Sequence, residues 1–161
     1  KIKNGSRRVA KRSAVLMKKN PNFNTIMARG YDNFNPGNIR KSAVTYKGEK
    51  PSTDVSFKQF ISMAWGYRAM FVLLDTYRLK HGLNTLQSML NRYAPPSENN
   101  TTEYINFVSS RTKIADISQV DTRNEKLMIP IVAAMAKMEN GKDPDMDDIC
   151  AGWELFVKYR Q

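Results

Sequence analysis

The sequence predicts a mainly α fold with a small loop and β-hairpin region (α+β). Apolar residues recur at helical spacing through most of the chain after residue 56. Helix-stopping signals separate these stretches: Gly82, Ala94-Pro95-Pro96 and Asn140-Gly141. Residues 21–55 are instead rich in Asn, Pro, Gly, Ser and Thr.

Residues 1–20 read as a basic N-terminal arm and residues 21–161 as a single domain. Within residues 21–55 a short hairpin is expected over 39–46. Phe57, Phe60, Ile61, Ala64, Met70, Phe71, Leu74 and Tyr77 share a helix face that Gly82 ends. Gly66 lies inside that pattern and signals a break or a close packing contact. Asn84 is placed to cap a helix bearing Leu86, Met89, Leu90 and Tyr93. Asn100, with Glu103 three residues later, resembles a capping box before Tyr104, Ile105 and Val108. Asp121 or Asn124 opens the next helix, whose Leu127, Met128, Ile131, Val132 and Met135 lie to one side. Pro130 should kink it unless it falls in the first turn. A last helix runs from about Asp145, with Ile149, Trp153 and Phe156 facing inward.

The chain of 161 residues is long enough for one sizeable core. No apolar run approaches a bilayer span, and residues 1–20 lack the apolar centre of a signal peptide. One Cys cannot make an internal disulfide, and Cys150 with His81 cannot make a protein-only zinc site of the usual kind. No metal or cofactor is expected, and neither is a zinc-dependent amidase or endopeptidase. A Cys150–His81 peptidase pair is outweighed by a buried inert thiol and an exposed His at a helix end. Net charge is +11, and residues 1–50 hold 13 Lys/Arg against Asp32 and Glu49, so the surplus sits in the first third. Such an arm attracts an anionic polymer or membrane surface, or is simply solvated.

Glu139 is the residue with the clearest chemical potential. General acid catalysis needs a proton delivered to a leaving group by a carboxylic acid of raised pKa. A Glu in the last turn of an apolar helix feels the negative end of the helix dipole, and desolvation pushes its pKa further up. The alternative is a surface Glu at a helix end.

Several motifs occur in order. Asn35-Pro36-Gly37-Asn38-Ile39-Arg40 comes first. Gly48 follows in Tyr46-Lys47-Gly48, then Phe57 and Phe60, and Gly66, Arg68 and Ala69. Tyr77, Gly82 and Thr85 come next, then Ala94-Pro95-Pro96-Ser97-Glu98-Asn99 with Thr101 and Tyr104, and finally Glu139-Asn140-Gly141. The set resembles phage-type lysozyme-like virion and lysis proteins over about residues 30–142. Tyr46 stands where that family usually has Trp, at a substrate or packing contact. The stretch 133–144 is also similar to the element around the acid of lytic transglycosylases, which there opens the domain, so the order here looks circularly permuted.

The resemblance implies a lysozyme-like fold and a peptidoglycan-degrading glycosidase acting at the bacterial cell wall on MurNAc-GlcNAc glycan strands. Glu139 would be general acid and then base, as in a lytic transglycosylase or lysozyme-like enzyme. Glu98 is the next candidate, against a role capping the helix near Asn100; Asp32 and Asp143 rank lower. Asn35, Asn38, Arg40, Asn99, Tyr93 and Tyr104 are candidate substrate contacts. Against this, the Asn35 and Asn38 amides equally suit loop backbone, and the two tyrosines suit a core. Arg68, inside a helix, is read as locking the NPGN turn through its carbonyls. The alternatives are a non-catalytic virion or wall-binding protein, with other virion proteins as partners, and a basic nucleic-acid-binding helical protein.

Overall fold

A computed structural model describes residues 29–160. After a helical turn at 29–32, a loop leads into a two-stranded antiparallel sheet, β1 (Glu49–Lys50) and β2 (Gln59–Phe60). Then come α1 (Met63–His81), α2 (Leu86–Tyr93), α3 (Thr101–Thr112), α4 (Glu125–Asn140) and α5 (Met146–Lys158). The fold is mainly helical, as the periodicity predicts. No helix among the described residues is long and apolar enough to cross a membrane. The basic arm at 1–20 lies outside the described residues.

Local chemistry sets the helix ends. α1 starts at Met63, later than Phe57, because the Ser62 side chain caps it by accepting from Trp65 N–H. Phe57 and Phe60 belong to the sheet region instead: Phe57 bridges Arg40, and Phe60 N–H donates to Asn33 O at 3.0 Å. Their three-residue spacing fits a helix as well as this loop-and-strand path. Gly82, at φ 65°, ends α1 with its N–H on Arg78 O. Thr85, not Asn84, caps α2 through a capping box with Ser88, because the Asn84 carbonyl is taken by Val120 N–H at 2.7 Å. Asn100, Asn124 and Asp145 cap α3, α4 and α5. Pro130 lies inside α4, past its first turn, and the helix continues through it to Asn140.

The core is built on α1 and α5. Tyr67, Met70, Phe71 and Leu74 face Ile149, Trp153 and Phe156, with Phe71 edge-on to Trp153 at 5.0 Å. Gly152 lets the helices approach: a Cβ there would lie 2.6 Å from Tyr67 Cβ. Met128, Ile131, Val132 and Met135 of α4 join the same core. Gly66 is the close packing contact, not a break, since a Cβ on it would sit 2.1 Å from Phe34 O.

The hairpin expected over 39–46 does not form. Ile39 O and Lys41 N–H pair with Lys58 N–H and Ser56 O, so residues 39–41 lie against 56–58 instead of folding back on 42–46. Residues 41–45 are exposed, and their carbonyls are used by a side chain. Lys58, 2% exposed, donates Nζ to Val44 O at 2.7 Å and to Glu49 Oε1 at 2.9 Å.

The neighbouring turn is held by Asp54. It accepts from Arg29 Nε at 2.9 Å, from Asn33 Nδ2 at 3.1 Å, and from Ser56 and Phe57 N–H at 2.8 and 3.0 Å. The Arg29 hydrogen bond leads in holding its carboxyl well below the usual range. A depressed carboxylate adds stability above its unfolded pKa and loses it as pH falls through the folded value. Asp54→Asn should therefore lose about 2 kcal/mol at pH 7. Urea titrations of both proteins should show the gap closing in strong acid; a gap constant across pH would contradict this reading.

Candidate active site

The loop at 33–40 and the end of α4 are locked together. Asn35 is fully buried, and its side chain closes the turn: Oδ1 accepts from Ile39 N–H at 2.9 Å, and Nδ2 donates to Ile39 O and Lys58 O, both at 3.0 Å. The turn throws Asn38 into the left-handed region at φ 46°, which Asn tolerates better than most residues. Asn140 Nδ2 donates to Pro36 O at 2.7 Å, binding the last residue of α4 to the turn. Gly30 packs beneath them; a Cβ there would lie 2.2 Å from Asn140 Oδ1. Tyr93 supports the other side by donating its hydroxyl to Gly37 O.

Glu139 is held between this turn and α3. Its Oε2 accepts from Asn38 Nδ2 at 3.0 Å and its Oε1 from the Tyr104 hydroxyl at 3.1 Å. The residue is half-buried, and desolvation pushes the carboxyl up to about 7. The hydrogen bonds from Asn38 and Tyr104 and the charge of Arg40 oppose that rise without cancelling it. Burial, reinforced by the Glu139 charge, holds the Tyr104 phenol well above its ordinary range, so it stays a donor. Near neutrality both protonation states of Glu139 are populated, the condition for giving and then taking a proton.

The other candidates fall in different places. Asn35 is not a substrate contact, because its amide is spent on backbone. Tyr93 likewise has its hydroxyl on Gly37 O. Glu98 does not cap α3, since Asn100 does; its exposed carboxylate meets Arg40 at 3.3 Å, joining the two motif loops. Asn99 is exposed on the same loop. Asp32 is exposed, and Asp143 pairs with Arg111 and Lys137 on the surface.

Arg68 does not lock the turn; its Nη2 donates to Tyr159 O at 3.2 Å. Cys150 is exposed, contrary to a buried thiol, because it lies on α5 away from the stripe of Ile149, Trp153 and Phe156. His81 is exposed in the last turn of α1. Tyr46 is a packing contact, 9% exposed beside Phe60 and under the Lys58 ammonium. Among the described residues, no cluster of three His, Cys, Asp or Glu side chains is placed to hold a metal ion.

Two features were missing from the sequence reading: the Tyr104 hydroxyl and the Asn38 amide both end on Glu139. The only sequence signal was the presence of all three motifs in one chain.

No family model matches the chain. It is similar to Protein P5 of Pseudoalteromonas phage PM2, 36% identical over 132 residues that span 79% of this chain and 81% of that protein. With identity at that level across most of both proteins, the chain belongs to the family of this phage protein P5.

Proposed function

We propose that the protein cuts the MurNAc-GlcNAc glycan strands of bacterial peptidoglycan, with Glu139 as the single general acid and base. It would act at the bacterial wall as part of a phage virion or lysis apparatus. The observation that supports this is a half-buried glutamate, pushed up to about 7, whose two oxygens are oriented by Asn38 and Tyr104. The protonated acid gives its proton to the glycosidic oxygen as the bond to C1 breaks. The carboxylate then takes a proton from the attacking hydroxyl. Glu98, the next candidate, is bound to Arg40, so one residue serving both steps favours the transglycosylase route, with the muramyl C6 hydroxyl attacking. A lysozyme-like core with permuted element order belongs to the same proposal.

Clearing of a peptidoglycan zymogram tests the reading, and anhydro-muramyl products separate transfer from hydrolysis. Tyr104→Phe sharpens it. Losing that hydrogen bond destabilises the carboxylate, so the alkaline limb of the pH profile should move up while turnover falls by about tenfold. An unmoved limb would count against Tyr104 tuning the acid.

A non-catalytic virion role is the second reading. It is favoured by the same hydrogen bonds, because a carboxylate accepting from Asn38 and Tyr104 also pins α4 to the 33–40 loop and α3. A blank zymogram from folded protein would select it.

A further inference from the structure

On another part of the molecule, basic side chains from three separate stretches gather on aromatic rings. Lys47 comes from the loop before β1, Arg68 from α1, Lys158 from the end of α5 and Arg160 from just beyond it. Lys47, Arg68 and Lys158 border the pair Trp65–Tyr159, whose ring centroids are 5.8 Å apart, and Arg160 lies over Trp153 and Phe156 of α5. The Lys47 and Lys158 ammonium groups lie 5.5 and 5.3 Å from the Tyr159 centroid. The Arg68 guanidinium lies 5.8 Å from Trp65, and Arg160 covers Phe156 at 4.9 Å. Among the described residues, none of these basic groups is within ion-pair distance of a carboxylate.

Such an arrangement is costly as it stands. Arg68 is 5% exposed, and burial pulls its pKa down, yet a guanidinium remains charged. Its Nε and that of Arg160 are buried with no hydrogen-bond partner. A buried charge without a counter-charge, and like charges drawn together, both destabilise a fold. The carbonyl end of α5 and the aromatic faces offset part of this. What they leave unmet is a negative charge with several acceptor oxygens.

We propose that Lys47, Arg68, Lys158 and Arg160 form a binding site for a phosphate-type oxyanion. Guanidinium and ammonium groups are the donors from which the oxygens of such an anion accept. The site shares no residue with the Glu139 pocket and does not depend on the reading of that pocket. The phosphate is either free or part of a phosphodiester polymer.

The test titrates inorganic phosphate and, separately, poly(glycerol phosphate) into the full chain at fixed ionic strength. Tryptophan fluorescence and Tm are read against a chloride control. Saturable binding that chloride does not reproduce is expected, with the tighter of the two ligands naming the source. Lys47→Gln with Lys158→Gln, both exposed and so without a folding cost, should weaken it at least tenfold. Arg68→Lys, which keeps charge but loses the fork, should also weaken it. A response equal to chloride, or one untouched by the Lys47/Lys158 double variant, overturns the site.

Discussion

Glu139→Gln is expected to lower glycan-strand cleavage by about 100- to 10,000-fold, the usual worth of a positioned acid–base group. Gln keeps the size and can still accept from Asn38 or Tyr104, but it has no proton to give. The same variant makes a second, opposite prediction about stability. The folded pKa of Glu139, about 7, lies above the ordinary 4.5. A raised acid contributes stability that is fully present below 4.5 and lost as pH rises through 7. The wild-type protein therefore loses stability between those values, by about 2–3 kcal/mol, and Glu139→Gln does not. The variant should match the wild type near pH 4 and exceed it at pH 8. Denaturation at the two pH values, run beside a zymogram, checks both halves. Full clearing by the folded variant would remove Glu139 from the chemistry, and a flat wild-type stability profile would remove the desolvation argument.

Lys58→Met carries the largest expected loss of stability. Lys58 is 2% exposed and meets Glu49, whose side chain is itself only 16% exposed. Removing one partner of a buried pair leaves the other charge uncompensated, at about 3 kcal/mol or more. For a domain of this size that is roughly a 10 °C fall in Tm. Replacing both partners is less damaging than replacing one. Lys58→Met with Glu49→Leu should recover a large part of the loss, although Tyr46 N–H then loses its acceptor. A double variant no better than Lys58→Met would show that the ammonium matters through the Val44 carbonyl and that of Ser42, 3.4 Å from Nζ, not through the carboxylate.

What could be read from the sequence follows the range of the forces involved. Helix faces and stops are set within a turn or two, so α1 to α5 were legible to within a few residues, and Asn100, Asn124, Asp145 and Gly82 take the capping roles their chemistry suggests. The start of α1 was not, because Phe57 and Phe60 satisfy a helical spacing and a strand path equally well. The hairpin failed for a different reason: a distant ammonium, Lys58, consumed carbonyls that local pairing would have used. Glu139 was legible as an acid at a helix end. Its partners were not, since no local rule connects Asn38 or Tyr104 to α4. Asn35 and Tyr93 show the converse: polar groups that suit a sugar suit a backbone carbonyl equally.

The hydrogen bonds from Asn38 to Glu139 and from Asn140 to Pro36 span 101 and 104 residues of chain. A chain emerging from the ribosome thus carries one half of the pocket about 100 residues before the other. The 33–40 loop waits on α4, and until α4 arrives neither the acid nor the groups that tune it have a partner. Entropy makes closing so long a loop slow more than it makes it unfavourable. The pocket cannot assemble before α4 has been made, and partly made chains that lack α4 cannot hold a tuned acid.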